Sequence, residues 1–184
     1  MPVTRLDPDT ALILIDLQKG VIALPTVHPA DAIVENANAL SEAFRRHHLP
    51  VILVHVTGTA PGRIQARYTI NPSPDWAELA PALVRGPQDH SLSKQTWGAF
   101  TGTGLEALLH RLGATQIVIA GIATSIGVES TARFAHELGF NVTLATDAMT
   151  DRSLEAHENS IERIFPRLGE TGTTLEIIGL LDSR

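Results

Sequence analysis

The 184-residue sequence contains no cysteine, which excludes disulfide bonds, thiolate metal ligands and a thiol nucleophile. It also lacks an excess of positive charge, since 14 basic side chains stand against 20 acidic ones. Because a nucleic-acid-binding protein needs a basic surface, we expect no nucleic-acid partner. No apolar run approaches the roughly 20 residues of a membrane span, and the first residues do not resemble a secretory signal. We therefore expect a cytoplasmic protein that does not associate with membranes.

The sequence does contain enough apolar residues for one packed domain. Hydrophobic residues make up 43% of the chain, and its length suits a single domain, which we assign to residues 1–184. Several runs rich in β-branched residues are apolar on both faces, which predicts buried strands of a parallel sheet. These runs are ALILIDL (11–17), VILVHVT (51–57), QIVIAG (116–121), NVTLAT (141–146) and TLEIIGL (174–180).

Segments with helical spacing of apolar residues lie between most of these runs, at 30–48, 103–112, 125–138 and 153–165. Strands that alternate with helices imply crossover connections that place helices on both faces of a sheet. The predicted fold class is therefore α/β.

Residues 58–100 interrupt the alternation with a stretch that is rich in glycine and proline. We predict at most a short helix near Asp75–Leu83 and a short edge strand at Leu92–Lys94. Because a long irregular segment inside a compact domain is usually functional, we interpret this stretch as one wall of a site.

Reactive side chains are expected where strands end, because ligands of open α/β sheets bind at the carboxyl edge. Asp16 ends the first apolar run, where burial would raise the pKa of its carboxyl group; the alternative is a capping role in the following turn. Lys94 follows the irregular segment, as a site residue or as an ordinary solvated charge. The elbow, residues 121–131 (GIATSIGVEST), places backbone amides at the start of a helix, which favours an anion or oxyanion.

Weaker candidates accompany these three. His55 lies near the end of the second strand and Trp97 follows Lys94, but both are also explained as core or edge residues. Arg63 and Arg67 carry planar guanidinium groups that suit a carboxylate, although loop arginines are commonly solvated. The histidines show no metal-ligand spacing, so we expect neither a metal nor another cofactor. A dinucleotide-binding turn at 102–104 (GTG) is a remote alternative, because no βαβ unit opens there.

Three segments, in this order, resemble the isochorismatase-like hydrolase superfamily: ALILIDLQ, KQTWGAFTGTGLEALL and IVIAGIATSIGVESTARFAHELGFNVTLATDAMTD. The resemblance covers nearly the whole chain. It implies a six-stranded parallel, Rossmann-like sheet between helices, a small-molecule substrate and a homo-oligomer, either a dimer or a tetramer. It also implies that Asp16 and Lys94 are catalytic and that a cis peptide joins Ile122 to Ala123. The backbone of Ile122, Ala123 and Thr124 would then face the substrate.

The sequence departs from this resemblance at Gly127, where amidase members carry their nucleophilic cysteine. The metal-binding D-x-H of nicotinamidases is also missing, because the second strand is followed by HVTGTAPG. Both differences argue against nicotinamidase activity. Cleavage of a vinyl ether needs a proton donor rather than a nucleophile, and some isochorismatases of the superfamily lack the cysteine.

We therefore predict a cysteine-independent hydrolase of a small, anionic molecule that cleaves a vinyl ether or a C–N bond. Asp16 would be the acid or base, Lys94 would orient the substrate or water, and Gly127 would leave room for the ligand. In a variant of this mechanism, Ser125 or Thr124 replaces the missing nucleophile. The alternative is a binding or scaffold protein that has kept the fold and lost the reaction.

Overall fold

The computed structural model describes residues 2–65 and 73–184. The strands are β1 (Thr10–Ile15), β2 (Val51–Val56), β3 (His90–Lys94), β4 (Gln116–Ile122), β5 (Asn141–Thr150) and β6 (Glu170–Gly172). They form one six-stranded sheet in the order β3-β2-β1-β4-β5-β6, with every neighbouring pair parallel. The α/β fold class is therefore confirmed, as is the edge strand predicted at Leu92–Lys94.

The helices are α1 (Lys19–Ile22), α2 (Ala30–Arg46), α3 (Leu105–Arg111), α4 (Glu129–Glu137), α5 (Leu154–Asn159) and α6 (Thr174–Asp182). A π-helical turn, Thr124–Val128, precedes α4, and another, Ser160–Ile164, follows α5. Both regions were predicted as helical, and the structure adds that each contains one irregular turn. Within the described ranges, no helix is long and apolar enough to cross a membrane.

The sheet separates two apolar cores. Side chains of β1 alternate between them, because successive residues of a strand point to opposite faces. Ile13 and Ile15 pack in the core that also holds residues of α3 and α4, which we call the α3/α4 core. Leu12 and Leu14 pack in the core that also holds residues of α2 and α6, the α2/α6 core. Burial on both faces explains why β1 is apolar throughout.

The last predicted strand is wrong, because TLEIIGL forms helix α6 and the sixth strand lies earlier, at Glu170–Gly172. A capping box starts the helix: Glu176 N–H donates to Thr173 Oγ1, and Thr173 N–H donates to the Glu176 carboxylate at 2.7 Å. Ile177 and Leu181, four positions apart, are both fully buried in the α2/α6 core. Thr174, three positions before Ile177, is buried as well, and residues three apart share a face of a helix but point to opposite faces of a strand.

Near Asp75–Leu83, where we predict at most a short helix, the chain forms turns and no helix. Besides the hydrogen bonds within these turns, its backbone pairs with the chain that follows β1. Lys19 N–H donates to Glu78 O at 2.8 Å, and Ala80 N–H donates to Leu17 O at 2.9 Å. The irregular segment is thus fastened beside the carboxyl end of β1.

Replacing Thr173 by alanine tests the start of α6. We expect the free energy of unfolding to fall by about 1 kcal/mol, because the capping side chain is lost. Urea denaturation followed by circular dichroism measures the change. Thr101→Ala is the control, because Thr101 is exposed and lies in a turn. Equal stability of the two variants would contradict the role given to Thr173.

Candidate active site

The order of the strands reverses between β1 and β4, at the centre of the sheet. Ligands of open α/β sheets bind at such a switch point, beside the carboxyl ends of the strands. Asp16 follows β1 directly, and a cis peptide between Ile122 and Ala123, as predicted, follows β4. Asp16 has a φ of 53°, in the left-handed region that aspartate tolerates, while its N–H still donates to Val54 O at 2.8 Å. The chain therefore turns at Asp16, directly after β1 ends.

Lys94, the last residue of β3, reaches this carboxyl from the far side of β2. Its Nζ lies 2.7 Å from Asp16 Oδ2 and 3.1 Å from the carbonyl oxygen of Thr96. Asp16 is only 6% exposed and Lys94 only 3%. The two residues therefore form a buried, hydrogen-bonded ion pair, which we call the Asp16–Lys94 pair.

Burial raises the pKa of Asp16 to about 6, although the Lys94 ammonium and its hydrogen bond act in the opposite direction. The nearby N–H of Val56 also lowers the pKa of Asp16. This N–H donates its hydrogen bond to Gln18 Oε1, at 2.7 Å, and not to the Asp16 carboxyl group. Asp16 Oδ1 is buried and accepts no hydrogen bond from the residues that the structure describes. This oxygen is therefore the one that can carry a proton or meet a ligand.

Gly127 lies beside the Asp16 carboxyl group of this pair. A β-carbon at position 127 would lie 3.3 Å from Asp16 Oδ2 and 2.8 Å from Ile15 Cγ2. A side chain at this position would thus sit against the catalytic candidates, but a methyl group of Ile15 already occupies part of its space. The structure brings Asp16, Lys94 and Gly127 together, as the sequence predicts.

Gly121 lets the elbow approach this pair. It is paired with Ile15 in the β1–β4 register and has a φ of 125°. A β-carbon there would overlap the carbonyl oxygen of Ile15, so only glycine allows β4 to lie this close to β1. The next residues form the Thr124–Val128 turn, in which Ile126 N–H and Val128 N–H both donate to Ala123 O, at 3.1 Å and 3.2 Å.

Comparison with known proteins identifies the family. The isochorismatase domain model matches residues 10–176. YecD, an isochorismatase family protein of Escherichia coli O157:H7, is 42% identical over 180 residues, covering 94% of this chain and 96% of YecD. An isochorismatase family protein of Burkholderia thailandensis has a similar structure, with a TM-score of 0.88 and 41% identity over 97% of this chain and 98% of that chain.

The chain belongs to the isochorismatase family. It is also 33% identical to the streptothricin hydrolase of Streptomyces noursei over 143 residues, which cover 75% of this chain and 48% of that enzyme. The family and these relatives make it an isochorismatase-like hydrolase.

The hydroxyl groups of this isochorismatase-like elbow have partners outside the Asp16–Lys94 pair. Thr124 is fully buried, and its Oγ1 lies 2.8 Å from His157 Nδ1. Ser125 donates through both its N–H, at 2.7 Å, and its Oγ–H, at 2.8 Å, to Asp151 Oδ2. Neither hydroxyl hydrogen-bonds to Asp16 or Lys94, which weakens the variant in which one of them replaces the missing nucleophile.

Sequence reasoning missed Asp151 and His157 as residues of this region. The signal that selects Asp16, an acid at the end of a buried strand, is also present at Asp151. It was overlooked because the strand was predicted to end at Thr146, whereas β5 continues to Thr150. No comparable signal exists for His157, whose contact with the elbow depends on how α5 packs.

Three of the weaker candidates, His55, Arg63 and Trp97, lie within the described residues. His55 points to the face opposite Val54, which belongs to the α3/α4 core, and burial together with Arg85 lowers the pKa of His55. Arg63 is exposed, and Trp97 is 66% exposed. Their roles as substrate ligands stay predictions, and the predicted ligand Arg67 lies outside the described residues. Within the described ranges, no group of three or more histidine and acidic side chains is arranged to hold a metal ion.

Titration of Asp16 tests the electrostatics of the pair. We expect its carboxyl carbon, followed by NMR and assigned with Asp16→Asn, to titrate near pH 6. Because this pKa of the folded state exceeds the ordinary value of about 3.9, the folded state binds more protons than the unfolded state between these two pH values. The contribution of Asp16 to the free energy of unfolding therefore falls as pH rises through this window.

Lys94→Met should raise the pKa of Asp16 further, since it removes the cation that lowers it. Lys19→Met is the matched control, because the Lys19 ammonium pairs with Asp75 and Glu78 instead. A titration of Asp16 near pH 4 in the wild-type protein, or equal effects of the two variants, would contradict this description.

Proposed function

We propose that this isochorismatase-like protein hydrolyses a small, anionic molecule without a cysteine nucleophile, with Asp16 as the proton-transferring group. The observation that carries the proposal is the buried Asp16–Lys94 pair. This pair is present although Gly127 stands beside it in place of a cysteine. Burying an acid beside a lysine costs free energy, because both charges lose their hydration. Buried ionisable groups of this kind are typical of functional sites. The binding or scaffold alternative gives no physical reason for keeping both groups.

The raised pKa of Asp16 suits general acid catalysis. A carboxyl group that titrates at about 6 is partly protonated near neutral pH and can still release its proton. For a vinyl ether, Asp16 Oδ1 would deliver its proton to the enol carbon, which leaves an oxocarbenium ion. Water then adds to that ion and returns a proton to the Asp16 carboxylate, and the resulting hemiketal breaks down to a carbonyl compound and an alcohol. No covalent intermediate with the protein is required.

Lys94 would bind and orient the substrate. An ammonium group has three N–H donors, and here one contacts Asp16 and another contacts the Thr96 carbonyl oxygen. The remaining donor has no partner among residues 2–65 and 73–184, and it would contact a substrate carboxylate or the attacking water. Its positive charge is the reason for proposing an anionic substrate.

Gly127 would provide space. Because it has no side chain, position 127 does not cover Asp16 Oδ2, and a ligand atom would approach this oxygen past the methyl group of Ile15 that limits the space here. The carbonyl oxygen of Ile122 lies 3.6 Å from the place of a β-carbon on Gly127, and the backbone of Ala123 and Thr124 would complete this border of the site. The similarity to streptothricin hydrolase supports hydrolysis as the reaction class, and cleavage of a C–N bond is the second candidate reaction.

A substrate screen tests the proposal. Vinyl ethers, amides and ureides are incubated with the protein, and the products are detected by mass spectrometry. Asp16→Asn should abolish turnover of any substrate found, because the amide cannot transfer the proton. Asp31→Asn, which changes an exposed acid in the first turn of α2, should keep it. Turnover by Asp16→Asn would contradict the mechanism. Ligands that raise Tm without being consumed would support the binding-protein alternative.

The pH profile separates the two candidate reactions. A general acid must be protonated in the free enzyme, so for a vinyl ether kcat/KM should fall as pH rises above about 6. For a C–N bond, Asp16 would act as a base towards water, and kcat/KM should rise through the same range. A profile without a transition near pH 6 would contradict both.

We also propose that the protein forms a homo-oligomer, a dimer or a tetramer. Ile126, Phe134 and Leu138 are 38%, 48% and 41% exposed, and their spacing places them on one side of α4 and the turns at its ends. Association would remove these apolar side chains from water. Phe134→Glu should therefore lower the mass measured by light scattering to that of a monomer, whereas Leu175→Glu, at an 80% exposed position, should not. A monomeric wild-type protein would overturn the proposal.

A further inference from the structure

A second buried acid, Asp151, contacts the turn that carries Gly127. Asp151 is only 3% exposed and directly follows β5, whose last residue, Thr150, is paired with Ile122 of β4. The register of the sheet therefore brings Asp151 next to the residues that follow Ile122.

The Asp151 carboxylate is held by its own chain and in turn holds Ser125. Its Oδ1 accepts hydrogen bonds from Arg152 N–H at 2.7 Å and Ser153 N–H at 3.4 Å. Its Oδ2 accepts both the N–H and the Oγ–H of Ser125, at 2.7 Å and 2.8 Å. Both carboxylate oxygens are thus used, and the bonds to a charged acceptor are stronger than neutral ones.

The same turn closes over Asp16. Gly127 lies two residues after Ser125, and a β-carbon on it would lie 3.3 Å from Asp16 Oδ2. Movement of the turn away from Asp16 would admit water to a carboxyl group that is now buried. Burial is the largest influence on the pKa of Asp16, so this pKa reports whether the turn is in place.

Further ionisable groups of this region are His157, His28, Glu158 and Arg152. His157 Nδ1 contacts Thr124 Oγ1 at 2.8 Å, and the rings of His157 and His28 lie 4.8 Å apart. Burial and His28 lower the pKa of His157, whereas Asp151 raises it. His157 therefore supports the start of the turn by a hydrogen bond rather than by charge.

We infer that Asp151 is a positioning residue for the Asp16–Lys94 pair: its carboxylate holds the Thr124–Val128 turn, and with it Gly127, against the Asp16 carboxyl. The functional importance of this contact rests on the proposed role of Asp16 as the working acid. The contact itself can be tested without a substrate.

The chain contains a matched control for Asp151. Asp147, in the same strand, accepts the N–H and the Oγ–H of Thr174 on a single carboxylate oxygen, at 2.7 Å and 2.9 Å. It thus makes the same contact at the start of α6 that Asp151 makes at the elbow. Helix α6 packs in the α2/α6 core, on the face of the sheet opposite the core that holds α4. Loss of Asp147 should destabilise the protein similarly without exposing Asp16.

The test compares Asp151→Ala with Asp147→Ala by NMR titration of the Asp16 carboxyl carbon. We expect both variants to lower Tm. In Asp151→Ala, the pKa of Asp16 should fall from about 6 towards the ordinary value of about 3.9, because water reaches the carboxyl. In Asp147→Ala it should stay near 6. Asp151→Asn should restore the raised value in part, since its amide oxygen can still accept both hydrogen bonds of Ser125, whereas its amide nitrogen cannot accept those of Arg152 and Ser153 N–H.

Milder variants decide the question if Asp151→Ala does not fold. Ser125→Ala removes one of the two hydrogen bonds to Asp151, and Thr174→Ala removes the equivalent bond to Asp147. Only Ser125→Ala should lower the pKa of Asp16. Unchanged titration of Asp16 in every folded variant would overturn the inference and leave Asp151 as a cap of the turn. Because these titrations need no substrate, failure of the proposed hydrolysis would be seen separately, as absence of turnover in the wild-type protein.

Discussion

The contact between Asp16 and Lys94 is the interaction on which the rest of the site depends. Two charges taken out of water destabilise the fold unless they lie close together and are well oriented. The sheet supplies that geometry: Asp16 ends β1, Lys94 ends β3, and the 2.7 Å contact between them spans β2. Burial outweighs the lysine and keeps the carboxyl group a weaker acid than usual. The same burial therefore destabilises the charged pair and raises the pKa of Asp16 into the range that suits proton transfer.

Gly127 shows how the site differs from one built around a thiol. The backbone lies where a nucleophile would be carried, but Ile15 Cγ2 would be 2.8 Å from any β-carbon at that position. A cysteine placed there would require the side chain of Ile15 or the turn to shift. The elbow therefore acts through its backbone and its position. The hydroxyl groups of Thr124 and Ser125 hold the turn in this position, through hydrogen bonds to His157 and Asp151.

Sequence patterns predicted the central part of this structure because its signals are local. Strands buried on both faces are apolar throughout, and an acid at the end of such a run, as at Asp16, is conspicuous. Helix α6 was mistaken for a strand because its apolar residues are nearly continuous, although Thr173 and Glu176 carry the spacing of a capping box. The contacts of Gly127 with Ile15 and of Asp151 with Ser125 depend on the register between strands. Such contacts are not encoded in any one segment.

The central claim is that hydrolysis proceeds by proton transfer, without a covalent bond to the protein. A single turnover in ¹⁸O-labelled water, followed by mass spectrometry of product and intact protein, tests it most directly. We predict that each molecule of product carries one labelled oxygen from water and that the mass of the protein does not change. Label in the peptide that contains Asp16 would show that this carboxylate attacks the substrate, and would contradict its role as a proton donor.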